Sequence, residues 1–151
     1  MTLEKLFSYV MTLMFGTDND KAEYRDYFIN TANTIIAELF DVNNALRATD
    51  GRKPLKNIPE FNKDDTNVWD EEIPYEPKIL RTILPYGVAG YIYTDDDKAI
   101  GTDYKNKYEY AKSQVLAVSL VSIVDVYDET PDEIPILVDD KWSLAEEENN
   151  G

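Results

Sequence analysis

The chain has 151 residues, 43% of them hydrophobic, enough for one domain with its own core, and it carries 30 acidic against 15 basic side chains. A net charge of −15 leaves no basic face for phosphate contacts, so a nucleic-acid-binding role is not expected. The absence of His and Cys excludes Ser-His-Asp and Cys-His catalysis, thiol redox chemistry and thiolate zinc sites within the chain, so catalysis would have to rest on carboxylates, Lys or Tyr.

Residues 2–15 read as an amphipathic helix, because Leu3, Leu6, Phe7, Val10 and Met14 recur at three- and four-residue steps, with Gly16 as the stop. The stretch has no basic face, so a core helix is expected and not a membrane-surface one. Glu4 and Lys5 fit a signal peptide poorly. The longest uncharged runs, Leu6–Thr17 and Ser113–Val124, are 12 residues each, short of a membrane span. No membrane partner is expected; the expected setting is the cytoplasm or a particle assembled there.

Asp18-Asn19-Asp20 offers N-caps for a second helix over about 20–48. Its apolar stripe is Tyr24, Tyr27, Phe28, Ala32, Ile35, Ile36, Leu39 and Leu46, with a bend or early end expected at Asn43-Asn44 and closure at Asp50-Gly51. Residues 51–74 hold Gly51, Pro54, Pro59 and Pro74 among Asp, Asn and Lys, and read as a long loop of the kind that contacts a neighbour. Trp69 within it either covers the core or anchors a partner.

Pro77 suits the first turn of a third helix, whose stripe runs from Ile79 and Leu80 through Ile83, Leu84 and Val88 to Ile92. Pro85 predicts a kink there, or two short helices. Gly87, Ala89 and Gly90 form a small-residue patch suited to close helix packing. After the acidic turn Thr94–Asp97, a fourth helix runs over about 98–117 with Tyr104, Tyr108, Ala111 and Val115 on one face. Beyond it, Val118, Val121, Ile123, Val124 and Val126 favour a strand, so the helix ends at 117 or continues to 124.

From Asp125 the chain holds ten acidic residues and one basic one, Lys141, whereas the first 124 residues hold twenty acidic and fourteen basic. Such a segment is unlikely to collapse unaided. Inside it lies one apolar island, Ile134-Pro135-Ile136-Leu137-Val138, followed by Trp142. The island either folds back on its own domain or docks on another subunit, and the second reading is favoured. The fold class expected is therefore mainly α: a compact bundle of about four helices with a long loop over residues 1–124, and an extended acidic C-terminal arm over 125–151.

Few constellations suggest chemistry. Asp18/Asp20 and Asp95-Asp96-Asp97 miss the EF-hand pattern, because Glu23 and Ile100 stand where Gly is required, so capping is the expected role and no metal site is assigned. Glu71, Glu72 and Glu76 are acidic neighbours without other signs of a sugar cleft. There is no phosphate-binding Gly-rich loop, and no cofactor is expected. Eleven Tyr residues suit either interfaces or the core.

Several segments occur in a familiar order: Ile29–Arg47 (INTANTIIAELFDVNNALR), Ile58-Pro59, Ile73-Pro74-Tyr75, Leu84-Pro85-Tyr86-Gly87-Val88-Ala89, Asp95–Asp97 and Tyr104-x-x-x-Tyr108. Over about residues 20–127 this order resembles the head–tail connector (adaptor, or head-completion) proteins of tailed bacteriophages. The resemblance implies a non-enzymatic virion protein at the head–tail interface. It implies a helical bundle assembled into a cyclic homo-oligomer, commonly of twelve copies, docked under the portal protein. Such a ring extends the channel for packaged DNA, without sequence-specific binding, and presents a surface to a neck or tail-completion protein. A terminal tail in such proteins often reaches the portal. Assigning partner contacts to Ile134, Ile136, Leu137, Val138, Trp142 and Trp69 is an inference from this chain.

An alternative is a small acidic regulator or DNA-mimic inhibitor, which needs carboxylates spaced like phosphates along one face. Here the acids crowd loops and tail while the helices are mixed. A carboxylate hydrolase would need a pocket with two close carboxylates.

Overall fold

The computed structural model describes the backbone of residues 1–15 and 18–128, and the side chains of residues 1–15 and 21–117. Within these residues the fold is mainly α, as the periodicity predicts. The helices are α1 (Leu3–Leu13), α2 (Asp18–Glu38), α3 (Phe40–Thr49), α4 (Pro77–Thr82), α5 (Leu84–Asp96) and α6 (Lys98–Asp128), with a 3-10 turn at Val68–Asp70. Among the described residues the one β feature is an isolated antiparallel bridge between Thr2 and Glu72.

α1 forms where its sequence pattern places it. Thr2 caps it by accepting from the Lys5 amide, and Leu3, Leu6, Phe7, Val10 and Met11 are buried. Met14, just beyond, is buried as well. The entry to the helix is fixed by the loop that precedes α4: Leu3 N donates to Glu71 O and Ile73 N donates to Met1 O, at 3.1 and 3.0 Å. Phe15 turns the chain after α1 with φ of 53°, a conformation rare for a bulky residue, and its side chain is 90% exposed. Gly16 and the side chains of Asp18-Asn19-Asp20 lie outside the described residues, though α2 does begin at Asp18.

The second predicted helix is two helices in near-continuous register. Leu39, at φ −89° and ψ 0°, separates α2 from α3, yet Leu39 N still reaches Ile35 O and Asn43 N reaches Leu39 O. The irregularity therefore falls four residues before the Asn pair, inside the apolar stripe. Phe28, Ala32, Ile35, Ile36 and Leu39 are wholly buried, while Tyr27 points outward at 60% exposure. α3 closes with a six-to-one bond from Arg52 N to Arg47 O, and Gly51 sits at φ 68° where a side chain would be strained.

The third predicted helix also divides, as Pro85 requires. Pro85 has no N–H to offer the preceding turn, so α4 ends at Thr82 and α5 restarts at Leu84, with Ile83 between them at φ −117° and ψ −60°. In α5 the proline falls in the first turn, where its missing donor has no intrahelical partner to lose. α5 and α6 are joined by the single residue Asp97 and pack as a hairpin. A Cβ at Gly90 would lie 3.1 Å from the Lys105 backbone nitrogen, and one at Gly87 would lie 2.8 Å from Ile35 Cγ2 and 2.9 Å from the Tyr108 ring. The small-residue patch is thus the seam along which α2, α5 and α6 meet.

α6 continues to Asp128, beyond the 117–124 range suggested by its periodicity and past residue 125, where the arm was expected to begin. The β-branched run 118–126 is helical, so its strand propensity is overridden here.

Candidate functional site

Glu76 is the most deeply buried carboxylate described, at 3% exposure, and it is fully engaged. One oxygen accepts from Arg47 Nη1 at 2.9 Å and the other from Arg52 Nη1 at 2.8 Å. Its backbone N–H donates to Asn43 Oδ1 at 2.8 Å. Such saturation makes Glu76 a fastener between α3 and the start of α4. Glu71 and Glu72 are exposed, and Glu71 serves the fold through its carbonyl. Among the described residues no group of acidic side chains is arranged to hold a metal ion.

The long loop is held against the domain along much of its length. Asn33 makes a reciprocal pair with the backbone of Phe61, donating to its carbonyl at 2.8 Å and accepting from its amide at 2.9 Å. Asn44 does the same with Leu55, at 3.1 and 2.8 Å. Each side-chain amide imitates the donor–acceptor edge of a neighbouring strand, which satisfies loop backbone that has no ladder of its own. Phe61, Val68, Ile73 and Tyr75 then enter the core. Of these asparagines only Asn44 was legible in the sequence, as part of a possible helix break at Asn43-Asn44. Their spacing carries no hydrophobic period, so nothing short of the folded loop reveals their partners.

Trp69 resolves toward the core-covering role. It is half-buried against Phe7 and Phe28, with ring centroids 5.6 and 6.1 Å away, and the Arg25 guanidinium lies 3.9 Å over its ring. Arg25 is held in turn by Glu4. Ile134, Ile136, Leu137, Val138 and Trp142, the other predicted partner contacts, lie outside the described residues.

The tyrosines divide between buried and exposed positions. Tyr75 donates to the Ile36 carbonyl at 2.6 Å from a buried site. Tyr93 and Tyr104 donate to Met14 O and Leu13 O, both at 2.6 Å, and so satisfy carbonyls at the open end of α1. Tyr108 and Tyr91 share the Glu38 carboxylate, each at 3.1 Å. Burial pushes the Tyr75 and Tyr108 hydroxyls well above the usual phenol range, with Asp41 and Glu38 respectively adding to it. The hydrogen bond to Glu38 is the largest cause raising Tyr91. Tyr9, Tyr27 and Tyr110 instead remain exposed, as do Phe15 and Ile58.

Two of the concave regions formed by the described residues adjoin the N-terminal half of α2. One, of about 630 Å³, runs between α1 and α2 beside Phe15, with Ser8, Thr12 and Ala22 on its walls. The other, of about 420 Å³, lies between α2 and the end of α5 and is lined by Tyr24, Tyr27, Tyr91, Glu23, Asp95 and Asp96. Asp97, beside it, caps α6 by accepting from the Ala99 and Ile100 amides at 2.9 and 3.1 Å, the role expected of this acidic turn. Tyr24 donates to Asp96 across the second cleft.

In comparisons with known proteins, the chain matches no family model, no curated protein and no solved structure. No helix among the described residues is long and apolar enough to cross a membrane.

Proposed function

We propose that this protein is a structural subunit of a tailed-bacteriophage head–tail connector, assembling as a ring beneath the portal and carrying the next neck or tail component. The observation that carries the reading is the position of the segments on which the resemblance rests. Leu84–Ala89 forms the first turns of α5, Ile29–Arg47 lies in α2 and α3, and Tyr104 and Tyr108 lie on α6. Gly87 brings the first segment within contact distance of both Ile35 and Tyr108. Three of the ordered motifs therefore meet at one packed seam.

The rest of the surface is in keeping with a contact role. Glu76, Asn33 and Asn44 are spent on fastening the loop and helix ends, while Phe15, Tyr27 and Tyr110 face outward. Aromatic rings on an otherwise charged surface supply rigid contact area at low entropic cost. A cyclic array of identical copies would use such groups in head-to-tail interfaces. DNA would pass an acidic wall without being held by it.

Electron-microscopy reconstruction of the particle containing this protein tests the reading. The expected result is a symmetric ring between portal and tail, with Ile134–Trp142 on a neighbouring chain. A companion deletion of residues 131–151 should leave the helical circular-dichroism signal intact and weaken docking to the assembly. A lone chain bound to a host enzyme outside any particle would refute the connector reading and favour an acidic inhibitor.

A further inference from the structure

We infer that the cleft between α1 and α2 receives the C-terminal arm of a second copy of this chain, with the apolar island Ile134–Val138 seated on its floor. The inference rests on that part of the proposed function in which the arm contacts a neighbouring chain, and it names the surface contacted. The cleft, of about 630 Å³, has an apolar floor of Phe7 and Met11 and is bordered by Phe15. The Phe15 ring is 90% exposed, and its backbone holds φ of 53°, a region that bulky side chains seldom occupy. Left in water, the ring gains nothing for that conformation; covered by an apolar segment, it does.

The charges on the walls fit this occupant. Lys21 and Arg25 line the cleft with Glu4, and an adjoining concavity of about 460 Å³ shares Arg25 and adds Lys63 and Trp69, with Asp26. Basic residues therefore outnumber acidic ones here, on a chain with twice as many acids as bases. The arm has the complementary layout: Ile134–Val138 lies between Asp132-Glu133 and Asp139-Asp140, and Trp142 follows. Apolar contact carries the binding of such a segment in a groove, and the flanking carboxylates set its orientation.

Chain length makes the donor a second copy. α6 meets α1 where Tyr104 bonds Leu13, meets α2 where Tyr108 bonds Glu38, packs on α3 and continues to Asp128. It therefore runs away from the part of α2 that holds Lys21 and Arg25. About 30 Å of helix follows Tyr108, and Arg25 lies about 20 Å of helix behind Glu38, so Asp128 stands about 50 Å from the cleft. The ten steps from Asp128 to Val138 cover at most about 36 Å, so the island of the same chain falls short.

The test is photo-cross-linking of the full chain carrying Leu137→p-benzoylphenylalanine, as an equal mixture of isotopically light and heavy copies. The expected product joins the arm to peptides containing Phe7–Phe15 or Lys21–Arg25, in light–heavy pairs. Phe15→Gly, which suits the positive φ and so keeps the fold, should lower the yield roughly threefold, and Lys63→Glu about twofold. Lys56→Glu, the same charge change elsewhere on the exposed loop, should leave it unchanged. Links confined to single-isotope pairs, links to other surfaces, no links, an unchanged yield in Phe15→Gly, or an equal loss in all three variants would overturn the assignment. Cross-links of the expected pattern from a chain that forms no ring in its particle would keep this contact and refute the connector reading. A ring whose arms rest on the portal alone would do the opposite.

Discussion

Replacing Glu76 with Ala should cost about 3 kcal/mol of folding stability, most of it through Arg47. Removing one partner of a wholly buried ion pair typically costs about 3–5 kcal/mol, because the remaining charge has neither water nor counter-ion. The Arg47 side chain is 21% exposed, so water recovers part of that loss and about 2 kcal/mol remains. The Arg52 side chain is 57% exposed, which limits its share to about 0.5 kcal/mol. Loss of the packed Glu76 methylenes adds roughly 0.5–1 kcal/mol. Urea unfolding followed by circular dichroism measures the sum, and the thermal midpoint should fall by about 10 °C for a chain of this size. Arg52→Ala alone should cost about 0.5 kcal/mol, and Arg47→Ala combined with Glu76→Ala should cost clearly less than the two separately. The difference between wild type and Glu76→Ala should largely persist in about 1 M salt, where exposed pairs are screened away. A loss below about 1 kcal/mol, or strict additivity with Arg47→Ala, would refute the claim that this carboxylate ties α3 to α4.

Two further outcomes follow from the packing and the phenols. Gly87→Ala gains about 1 kcal/mol of helix propensity but drives a methyl to 2.8 Å from Ile35 Cγ2 and 2.9 Å from Tyr108, so a net loss of about 1–2 kcal/mol is expected in urea titrations. Stability should also fall at alkaline pH. Tyr75 and Tyr108 hold their protons to higher pH when folded than the phenol value near 10, so the unfolded chain binds fewer protons above that pH and ΔG of unfolding declines. The effect is absent below about pH 9, and each group contributes up to about 1.4 kcal/mol per pH unit above 10. Tyr75→Phe or Tyr108→Phe should reduce the slope when unfolding is compared between pH 9 and 11.

The helical stripes were legible because burial follows their period directly. Leu3, Leu6, Phe7, Val10 and Met14 read as one face and are one face. Pro85 and Gly51 were legible for local reasons, one lacking a donor and the other free to take positive φ. The 51–74 loop was not legible as packed structure. Its three buried residues, Phe61, Val68 and Ile73, follow no period, and its anchors Asn33 and Asn44 act through amide groups that leave no periodic trace. The end of α6 was obscured by a β-branched run whose propensity is a weak prior against helix continuation. The α2–α5 cleft was invisible because Glu23 and Asp95 are 72 positions apart, and no motif or period links them.

Charge placement bears on how identical copies of this chain could stand side by side. Of the net −15, the first 124 residues carry only six units, and the remaining nine fall in residues 125–151. Coulomb repulsion between neighbours rises with the product of their charges, so bodies of −6 repel roughly one sixth as strongly as bodies of −15 at equal spacing. Within the first 124 residues, Glu23, Asp95 and Asp96 border exposed tyrosines at one cleft. A ring built head-to-tail needs complementary and not identical patches on its two sides, since each interface joins different surfaces. Lys78 and Arg81 are exposed on α4, which precedes the start of α5, whereas the acidic cleft lies at its other end. α5 alone spans about 18 Å between those ends, so Lys78 and Arg81 stand apart from the cleft acids. Exchanging the signs of either region should therefore impair self-association more than neutralising the terminal acids does, whereas the reverse order would show that the terminal segment, and not the helical body, governs contact between copies.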